Sequence, residues 1–420
     1  MRAITLFSKA VALLFLARVL APQQLGIYGL FASTIAYSVF ILGMEFYTFS
    51  TREFLKQDGR DAARCIRDQA VFHLALYAVL FPSLGAVFYY GYLPFKYIIW
   101  FYLILGFEHI FRELYRILVA LMRPIAATAV FFLASGFWPW LAVPAMVLSP
   151  GLRSLSTVWV CWFLSQAMGL VCAAWFLRHL HWRQAFSRSV DWEWIYRGIR
   201  AAAPLLGASL SLSAITTLDR YFIKHYLDDA MLGFYAFFAN IAYAVFAFLD
   251  SGVVSIYYPK IVRSFQDGRF ADYRTAVGQL AKGMVIGLLS LVTVSVLGIF
   301  PLLSILHRPI YTQHVSVYWI MLAVVSVWSL GLIPHYALYA KRRDTAIVCC
   351  NFVGLLTSLL GYSALIRRYG IDGAALAVLT GMVTIAVLKA CCLVLFEGKT
   401  KARSSSDDVS SLNIEIEGAL

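Results

Sequence analysis

Apolar residues form long runs along the chain, and short polar stretches separate these runs at regular intervals. A helix needs about 20 apolar residues to cross the roughly 30 Å hydrocarbon core of a bilayer. Windows of this kind lie near 4–20, 25–49, 70–90, 96–121, 124–148, 155–177, 199–221, 232–256, 276–300, 314–338, 344–366 and 371–396. The pattern predicts an all-α integral membrane protein with about 12 transmembrane helices.

The longest polar connection, residues 178–198, divides these windows into two groups of six. We predict an N-terminal six-helix lobe over residues 1–177, a linker over 178–198 and a C-terminal six-helix lobe over 199–396. The linker contains Trp residues with Arg residues between them, which is typical of an amphipathic segment at a membrane surface. Residues 397–420 have too few apolar side chains to fold, which predicts a disordered cytoplasmic tail. The first window resembles a signal peptide, but the second follows so closely that we expect a retained helix.

One short phrase occurs in both predicted lobes. LGIYGLFA covers residues 25–32 and LGFYAFFA covers residues 232–239, and five of the eight positions are identical. Each copy follows one long apolar run and opens another, so we expect it on a tight turn where glycine permits the reversal. The repeat suggests two related halves, an arrangement common among membrane transporters.

The composition supports a membrane protein and gives it an orientation. The chain is 61% hydrophobic, 14% charged and has a net charge of +13. Lys and Arg concentrate in connections that follow even-numbered spans, at 52–67, 123, 178–197, 260–274 and 341–343. The positive-inside rule places those connections and both termini in the cytoplasm, with the protein in the cytoplasmic (inner) membrane. The positive charge therefore needs no nucleic-acid partner.

Four passages resemble the polysaccharide and O-antigen lipid-carrier flippases of the multidrug/oligosaccharidyl-lipid/polysaccharide exporter superfamily. They are RVLAPQQLGIYGL at 18–30, LDRYFI at 218–223, YYPKI at 257–261 and YGIDGAALA at 369–377. Their order and their positions relative to the spans match that family along essentially the full chain. The resemblance implies a transporter that moves an undecaprenyl-diphosphate-type lipid-linked oligosaccharide between leaflets by alternating access. The implied partners are this lipid-linked oligosaccharide, membrane lipid and other membrane proteins of polysaccharide or lipopolysaccharide assembly.

Charged residues inside the spans are the candidate site residues, because each costs about 2.5–3.5 kcal/mol at a helix centre. Arg18 lies near the outer end of span one, and Asp219 and Arg220 lie near the outer end of span seven. If these helices face each other, as the resemblance implies, the arginines would line one chamber and bind a diphosphate. The competing explanation, which applies most to Arg18, is that the side chain reaches out to the lipid head groups.

Span four carries Glu108, Arg112 and Arg116 at i, i+4, i+8, which places opposite charges on one helix face. Glu108 lies about 18 Å into the membrane at 1.5 Å per residue, so we expect this face to point into the bundle. We assign Arg112 to substrate binding. For Glu108, a structural ion pair and a substrate-related role both remain open.

The second span of each half carries an acidic residue near its inner third, Glu45 in the first half and Asp250 in the second. Arg52 shares a helix face with Glu45 and is assigned to substrate binding. Glu45 and Asp250 fit either ion pairs that hold helices together or a site for a coupling ion.

Other chemistry finds little support in the sequence. Four histidines, His73, His109, His307 and His314, are scattered without metal-ligand spacing, so no metal or cofactor is predicted. Phosphate-binding glycine loops and nucleophile elbows are absent from the sequence, which argues against ATP-driven transport and against an enzyme. A multidrug cation exporter of the same superfamily is the closest alternative, and a membrane-embedded glycan polymerase or ligase is a more distant one.

Overall fold

The computed structural model describes residues 2–56 and 62–417, apart from the side chains of residues 2, 3, 55, 56, 184, 187 and 397–417. The first half contains α1 (Arg2–Val19), α2 (Pro22–Gly43), α3 (Tyr47–Lys56), α4 (Ala62–Leu84), α5 (Ala86–Tyr89), α6 (Ile98–Ala120), α7 (Pro124–Phe131), α8 (Trp138–Leu148) and α9 (Leu155–Leu177). A π-helical turn, Phe132–Gly136, joins α7 to α8. Arg60, one of the positive residues predicted to be cytoplasmic, lies outside the described residues.

The second half contains α10 (Trp182–Ser187), α11 (Trp192–Tyr226), α12 (Asp229–Leu249), α13 (Ser255–Gln266), α14 (Phe270–Leu306), α15 (Ile310–Gln313), α16 (Val315–Ala340) and α17 (Asp344–Glu417). A second π-helical turn, Asp250–Val254, joins α12 to α13. Helix α17 continues as far as Glu417, into the stretch for which a disordered tail is predicted. Because the side chains after residue 396 are not described, that tail stays a prediction.

The structure confirms an all-α membrane fold with twelve helical passes in two lobes. Nine helical segments of the described chain are long and apolar enough to cross a membrane. One of them, residues 344–396, reverses at Gly370, whose φ of 60° suits glycine, and so makes two passes. Helices α1 and α6 supply the remaining passes. Each carries three or more charged residues, which is more than the apolar stretches of the other nine segments contain.

The duplicated phrase has a different structural role from the one predicted. Residues 25–32 lie within α2 and residues 232–239 lie within α12, so the expected turn at the phrase is wrong. The chain reverses just before each copy. The two copies instead pack against each other across the lobes: a Cβ on Gly26 would lie 2.1 Å from the Asp229 carbonyl oxygen, and one on Gly233 would lie 2.0 Å from the Pro22 carbonyl oxygen. Glycine is required here for close approach of two helices.

Further contacts between the lobes surround these glycines at the same end of the bundle, called here the repeat end. Arg308 donates a hydrogen bond to the Leu20 carbonyl at 2.8 Å. The Tyr221 hydroxyl lies 2.7 Å from the Thr34 hydroxyl, and the Tyr221 ring contacts the Tyr92 ring with centroids 5.1 Å apart. The lobes are therefore in close contact at the repeat end.

The opposite end, called here the charged end, carries residues 121–123, 178–191, 267–269 and 341–343. At this end the buried Arg67 side chain fixes the linker by donating hydrogen bonds to the Ala185, Arg188 and Ser189 carbonyls. Arg67 also pairs with buried Asp68. The linker is thus attached to the N-terminal lobe, and α11 begins at Trp192, seven residues before the predicted span.

A break separates α2 from α3 near the charged end. Met44 and Glu45 both adopt left-handed conformations, with φ of 46° and 53°. This conformation is uncommon for residues other than glycine and costs energy unless the surrounding structure holds it. The break places Phe46 against Trp194 of α11, with ring centroids 5.3 Å apart.

Candidate functional site

A cavity of about 470 Å³ lies between the two lobes, in the middle of the bundle. Its walls come from α1 and α2 of the N-terminal lobe and from α11, α12 and α14 of the C-terminal lobe. The polar lining residues are Lys9, Tyr28, Ser33, Thr216, Thr217, Arg220, Asn240 and Tyr243. Aspartate and glutamate are absent from the described lining residues. The cavity thus presents one cationic side chain from each lobe to a central space.

Lys9 supplies the cation of the N-terminal lobe. It comes from the middle of α1, and its ammonium group donates a hydrogen bond to the Ser135 hydroxyl at 2.8 Å. Ser135 belongs to the π-helical turn between α7 and α8, so that turn positions the lysine. Glu108 and Arg112 of α6 are close enough for their charges to act on Lys9.

Arg220 supplies the cation of the C-terminal lobe and is held rigidly by its neighbours. It is 4% exposed, pairs with fully buried Asp219 at 3.2 Å and donates to the Thr216 carbonyl. The Tyr235 hydroxyl donates to the other oxygen of Asp219 at 2.7 Å. The Arg220 Nε atom is buried and has no hydrogen-bond partner. The arginine therefore keeps one donor without a partner in this arrangement of the lobes.

Arg18 lies about one turn beyond Leu14, the last residue of α1 that lines the central cavity, on the same helix as Lys9. It lines an adjoining cavity of about 420 Å³ between α1 and α14, whose other described walls are apolar. The two cavities share Leu14 and Leu302. The sequence predicts a chamber with Arg18 and Arg220 on opposite walls. In the structure, Lys9 and Arg220 line the central cavity from opposite lobes, and Arg18 lines the neighbouring cavity.

The predicted charged face of α6 points into the N-terminal lobe, as expected. Arg112 pairs with buried Glu108 at 3.0 Å, and the Gln166 amide donates to the second Glu108 oxygen at 2.7 Å. Arg112 does not line the central cavity. Its effect there is electrostatic, because its charge acts on Lys9. Arg52 is exposed on α3, where its charge acts on Tyr258 of the other lobe, and it is also outside the cavity lining.

Glu45 and Asp250 occupy comparable places along the chain but different surroundings. Glu45 is 7% exposed and lines a third cavity of about 330 Å³ between the lobes, towards the charged end. Tyr47 of the same lobe and His335 and Asp344 of the other lobe also line that cavity. Asp250 is exposed and opens the π-helical turn after α12. The two acids are not equivalent in the fold.

Sequence reasoning missed two groups of residues. Lys9 satisfies the same depth criterion as the chosen charges, because it lies within the first predicted span, yet it is absent from the predicted site. His73 and His109 are 36 residues apart in the chain, but α4 and α6 bring their rings to a centroid distance of 4.5 Å. Among the described residues, no group of three or more His, Cys, Asp or Glu side chains could hold a metal ion.

The fold has clear counterparts among solved structures, although no protein-family model and no curated protein sequence matches the chain. An inward-facing multidrug resistance MATE family transporter of the MOP superfamily superposes with a TM-score of 0.74 at 12% identity, covering 96% of both chains. An outward-facing transporter of the same description gives 0.64 at 12% identity, covering 95% of this chain and 94% of that one. The lipid II flippase MurJ, in an inward closed conformation, gives 0.64 at 12% identity, covering 95% of this chain and 87% of that one. The protein therefore has the fold of the MOP-superfamily transporters.

Proposed function

We propose that this protein is a flippase that moves a lipid-linked oligosaccharide of the undecaprenyl-diphosphate type across the cytoplasmic membrane for surface polysaccharide or O-antigen synthesis. The observation that carries the proposal is the central cavity with Lys9 and Arg220 on opposite lobes and without a described carboxylate in its lining. A diphosphate is an anion whose oxygens accept charge-assisted hydrogen bonds from both side chains. The solved flippase of lipid II, which has the same fold, supports the choice of a lipid-linked substrate.

Alternating access explains how the two cations would act together. In the present arrangement the lobes meet at the repeat end, and the superposition is better with the inward-facing MATE structure than with the outward-facing one. We assign the repeat end to the outer face, so that the cavity receives the head group from the cytoplasmic side. Because Lys9 and Arg220 belong to different lobes, a rocking motion of one lobe against the other changes the distance between them. That change alters how strongly they bind a diphosphate that bridges them.

The test is complementation of a flippase-deficient bacterial strain, with lipid-linked repeat units assayed in each leaflet. The wild-type chain should restore surface glycan, whereas Lys9→Ala and Arg220→Ala at normal membrane levels should leave lipid-linked units in the cytoplasmic leaflet. Arg220→Lys separates charge from shape, because lysine lacks the planar fork of donors. Lys282→Ala is the matched control, since Lys282 is an exposed lysine on α14 outside the cavity. Normal export by both cavity variants would refute the site.

A multidrug cation exporter is the second candidate, and the third cavity favours it. There Glu45 and Asp344 from the two lobes accompany Tyr47, Tyr336 and His335, a combination of acids and aromatic rings that suits an organic cation. Under this alternative, expression in a drug-sensitive strain should raise resistance to cationic dyes. Glu45→Gln and Asp344→Asn should abolish that resistance, while Lys9→Ala should leave it unchanged.

A further inference from the structure

Two pairs of adjacent cysteines lie on the two passes of α17, and none of the four lines a cavity described above. Cys349 and Cys350 precede the reversal at Gly370, and Cys391 and Cys392 follow it. Cys350 and Cys392 each lie about 20 residues from the reversal, so the two passes bring them to the same depth. Their Sγ atoms are 4.0 Å apart. Cys349 and Cys391 are exposed, so one thiol of each pair faces the other pass.

Close packing of the two passes fixes the separation of these sulfurs. A Cβ on Gly354, one turn beyond Cys350, would lie 2.2 Å from Ile385 Cγ1 on the other pass. A Cβ on Gly381 would lie 1.9 Å from Ser358 Oγ. Small residues at such positions let membrane helices approach closely, as they do here. The two thiols are therefore held next to each other by the backbones that carry them.

A buried lysine accompanies the two thiols. Lys389 lies three residues before Cys392 on the same pass, which places both side chains on one helix face. It is 4% exposed, and it forms no ion pair or hydrogen bond with another described residue. Its charge acts on Cys350 and on His335 of α16. An ammonium group buried without an anion is costly inside a membrane protein. The surroundings of Lys389 therefore lack one negative charge.

The charges of a metal complex at the two thiols would supply it. Thiols bind metal ions as thiolates, so two of them contribute two negative charges. With a monovalent ion the complex carries one negative charge, which the ammonium group of Lys389 neutralises. With a divalent ion the complex is neutral, and the lysine stays without a counter-charge. Thiolates select soft ions such as Cu(I), so the charges favour a soft monovalent ion.

The distance between the sulfurs also suits a bound ion. A metal–thiolate bond is roughly 2.3 Å long, so one ion between two sulfurs needs them at most about 4.6 Å apart. A disulfide needs them at about 2.05 Å. The observed 4.0 Å is therefore much closer to the metal-bound separation than to the disulfide. A two-coordinate ion needs no third ligand, and the described residues offer no group of three or more His, Cys, Asp or Glu.

We propose that Cys350 and Cys392 form a two-coordinate site for a soft monovalent metal ion of the Cu(I) type, with Lys389 as its counter-charge. Binding forms two sulfur–metal bonds and releases the two thiol protons to solvent. The metal keeps its oxidation state, so the step needs no oxidant. The bound ion links the two passes of α17. These three residues lie outside the lining of the central cavity, so the proposal does not rest on the proposed translocation.

The test measures Cu(I) binding to the purified full-length protein in detergent, without oxygen and against a colorimetric Cu(I) chelator. The other five cysteines are replaced by alanine, and this background should bind one Cu(I) per chain, as the wild type does at this site. X-ray absorption should show two sulfur ligands. Loss of an outer-shell partner typically lowers metal affinity about 10–100-fold, so loss of a ligand should cost more. Cys350→Ser and Cys392→Ser should each weaken binding by more than about a hundredfold.

Lys389 is tested separately, because it acts through its charge. Lys389→Met keeps the length of the side chain and should weaken Cu(I) binding about tenfold, whereas Lys389→Arg should retain most of it. Lys282→Met, at an exposed lysine of α14, is the matched control and should bind like the background. Melting temperatures without metal show whether each variant is folded.

Three results would overturn the proposal. The first is a background protein that binds no Cu(I), or that binds it equally well after both serine substitutions. The second is a disulfide between Cys350 and Cys392, detected by mass spectrometry in protein purified under reducing conditions. The third is unchanged Cu(I) affinity in Lys389→Met, which would remove the counter-charge and with it the preference for a monovalent ion.

Discussion

Three buried carboxylates of this protein are each held by a neutral partner on a neighbouring helix and by an arginine on their own helix. Gln166 of α9 donates to Glu108, Gln69 of α4 donates to Glu113, and Tyr235 of α12 donates to Asp219. Each carboxylate also pairs with an arginine of its own helix. Inside a membrane protein an unpaired charge is costly, so these side chains are connected into small networks rather than left alone. The networks lock the rotamers of these charged residues in both lobes.

Replacing Asp219 should test how much the Arg220 position depends on its partner. Asp219→Ala leaves the guanidinium buried with the Thr216 carbonyl as its remaining partner, and removing one member of a buried pair typically costs about 3–5 kcal/mol. We expect a clearly lower melting temperature of the purified protein in detergent, and a smaller loss for Asp219→Asn, which keeps the shape and a hydrogen bond to Tyr235.

Asp272→Ala is the control for that experiment, because Asp272 pairs with Arg269 on the exposed surface of the charged end. Exposed pairs contribute little to stability, so this variant should melt like the wild type. Equal melting temperatures for Asp219→Ala and Asp272→Ala would mean that Asp219 does not stabilise the C-terminal lobe.

The depth of a charged residue along its span predicts some of the buried polar residues. It misses those whose contacts depend on how separate helices pack. The i, i+4 spacing of Glu108 and Arg112 identified a real ion pair, because neighbours on one helix are fixed by helix geometry. The contact between His73 and His109 depends on the rotation and relative height of α4 and α6, which a hydropathy pattern does not give. Lys9 satisfies the same depth criterion as Arg18, and only the fold shows that Lys9 lines the central cavity while Arg18, nearer the helix end, lines the adjoining one.

The duplicated phrase matters at the level of whole helices. It places Gly26 on α2 and Gly233 on α12, and the two glycines let these helices approach at the repeat end. Both copies lie near the start of the second helix of their half, next to the chain reversal, but the sequence predicted a turn instead of a helix–helix contact. Glycine next to a chain reversal is ambiguous in sequence, because either a positive φ or a close approach can require it.

Gly233→Ala should open the repeat end. Alanine normally stabilises a helix relative to glycine by roughly 0.5–1 kcal/mol. Here its Cβ would lie 2.0 Å from the Pro22 carbonyl oxygen. That oxygen belongs to the backbone, so relieving the clash requires the two helices to move apart. Spin labels at exposed Gln23 and His225, in a background without native cysteines, should report a longer distance between the lobes in this variant.

Gly278→Ala on α14 is the matched control, because a Cβ there would meet no atom within 4 Å. It should leave the distance distribution unchanged. If Gly233→Ala also left it unchanged, the glycine contact would not be what closes this end of the bundle.

Hydropathy predicted the architecture of the whole molecule well, since twelve apolar windows correspond to twelve helical passes. It could not predict which end of the bundle is closed. The two lobes share one continuous apolar core, which includes Phe31 of the first lobe and Phe238 of the second. The arrangement of the lobes therefore depends on specific contacts such as Arg308 with the Leu20 carbonyl, which contribute little to any hydropathy window.

The charge distribution predicts the orientation of the molecule in the membrane, and this orientation can be measured on the full-length chain. The charged end carries most of the Lys and Arg in the connections, and moving such connections across the membrane is disfavoured. We expect a membrane-impermeant maleimide to label Tyr90→Cys and Phe95→Cys, at the repeat end, in intact spheroplasts of a strain lacking native cysteines in this protein. Arg263→Cys and Phe270→Cys, exposed at the charged end, should react only after permeabilisation. The reverse pattern would place the repeat end in the cytoplasm, and the central cavity would then take its ligand from the outer leaflet, which contradicts inward-to-outward transport of a cytoplasmic lipid-linked glycan.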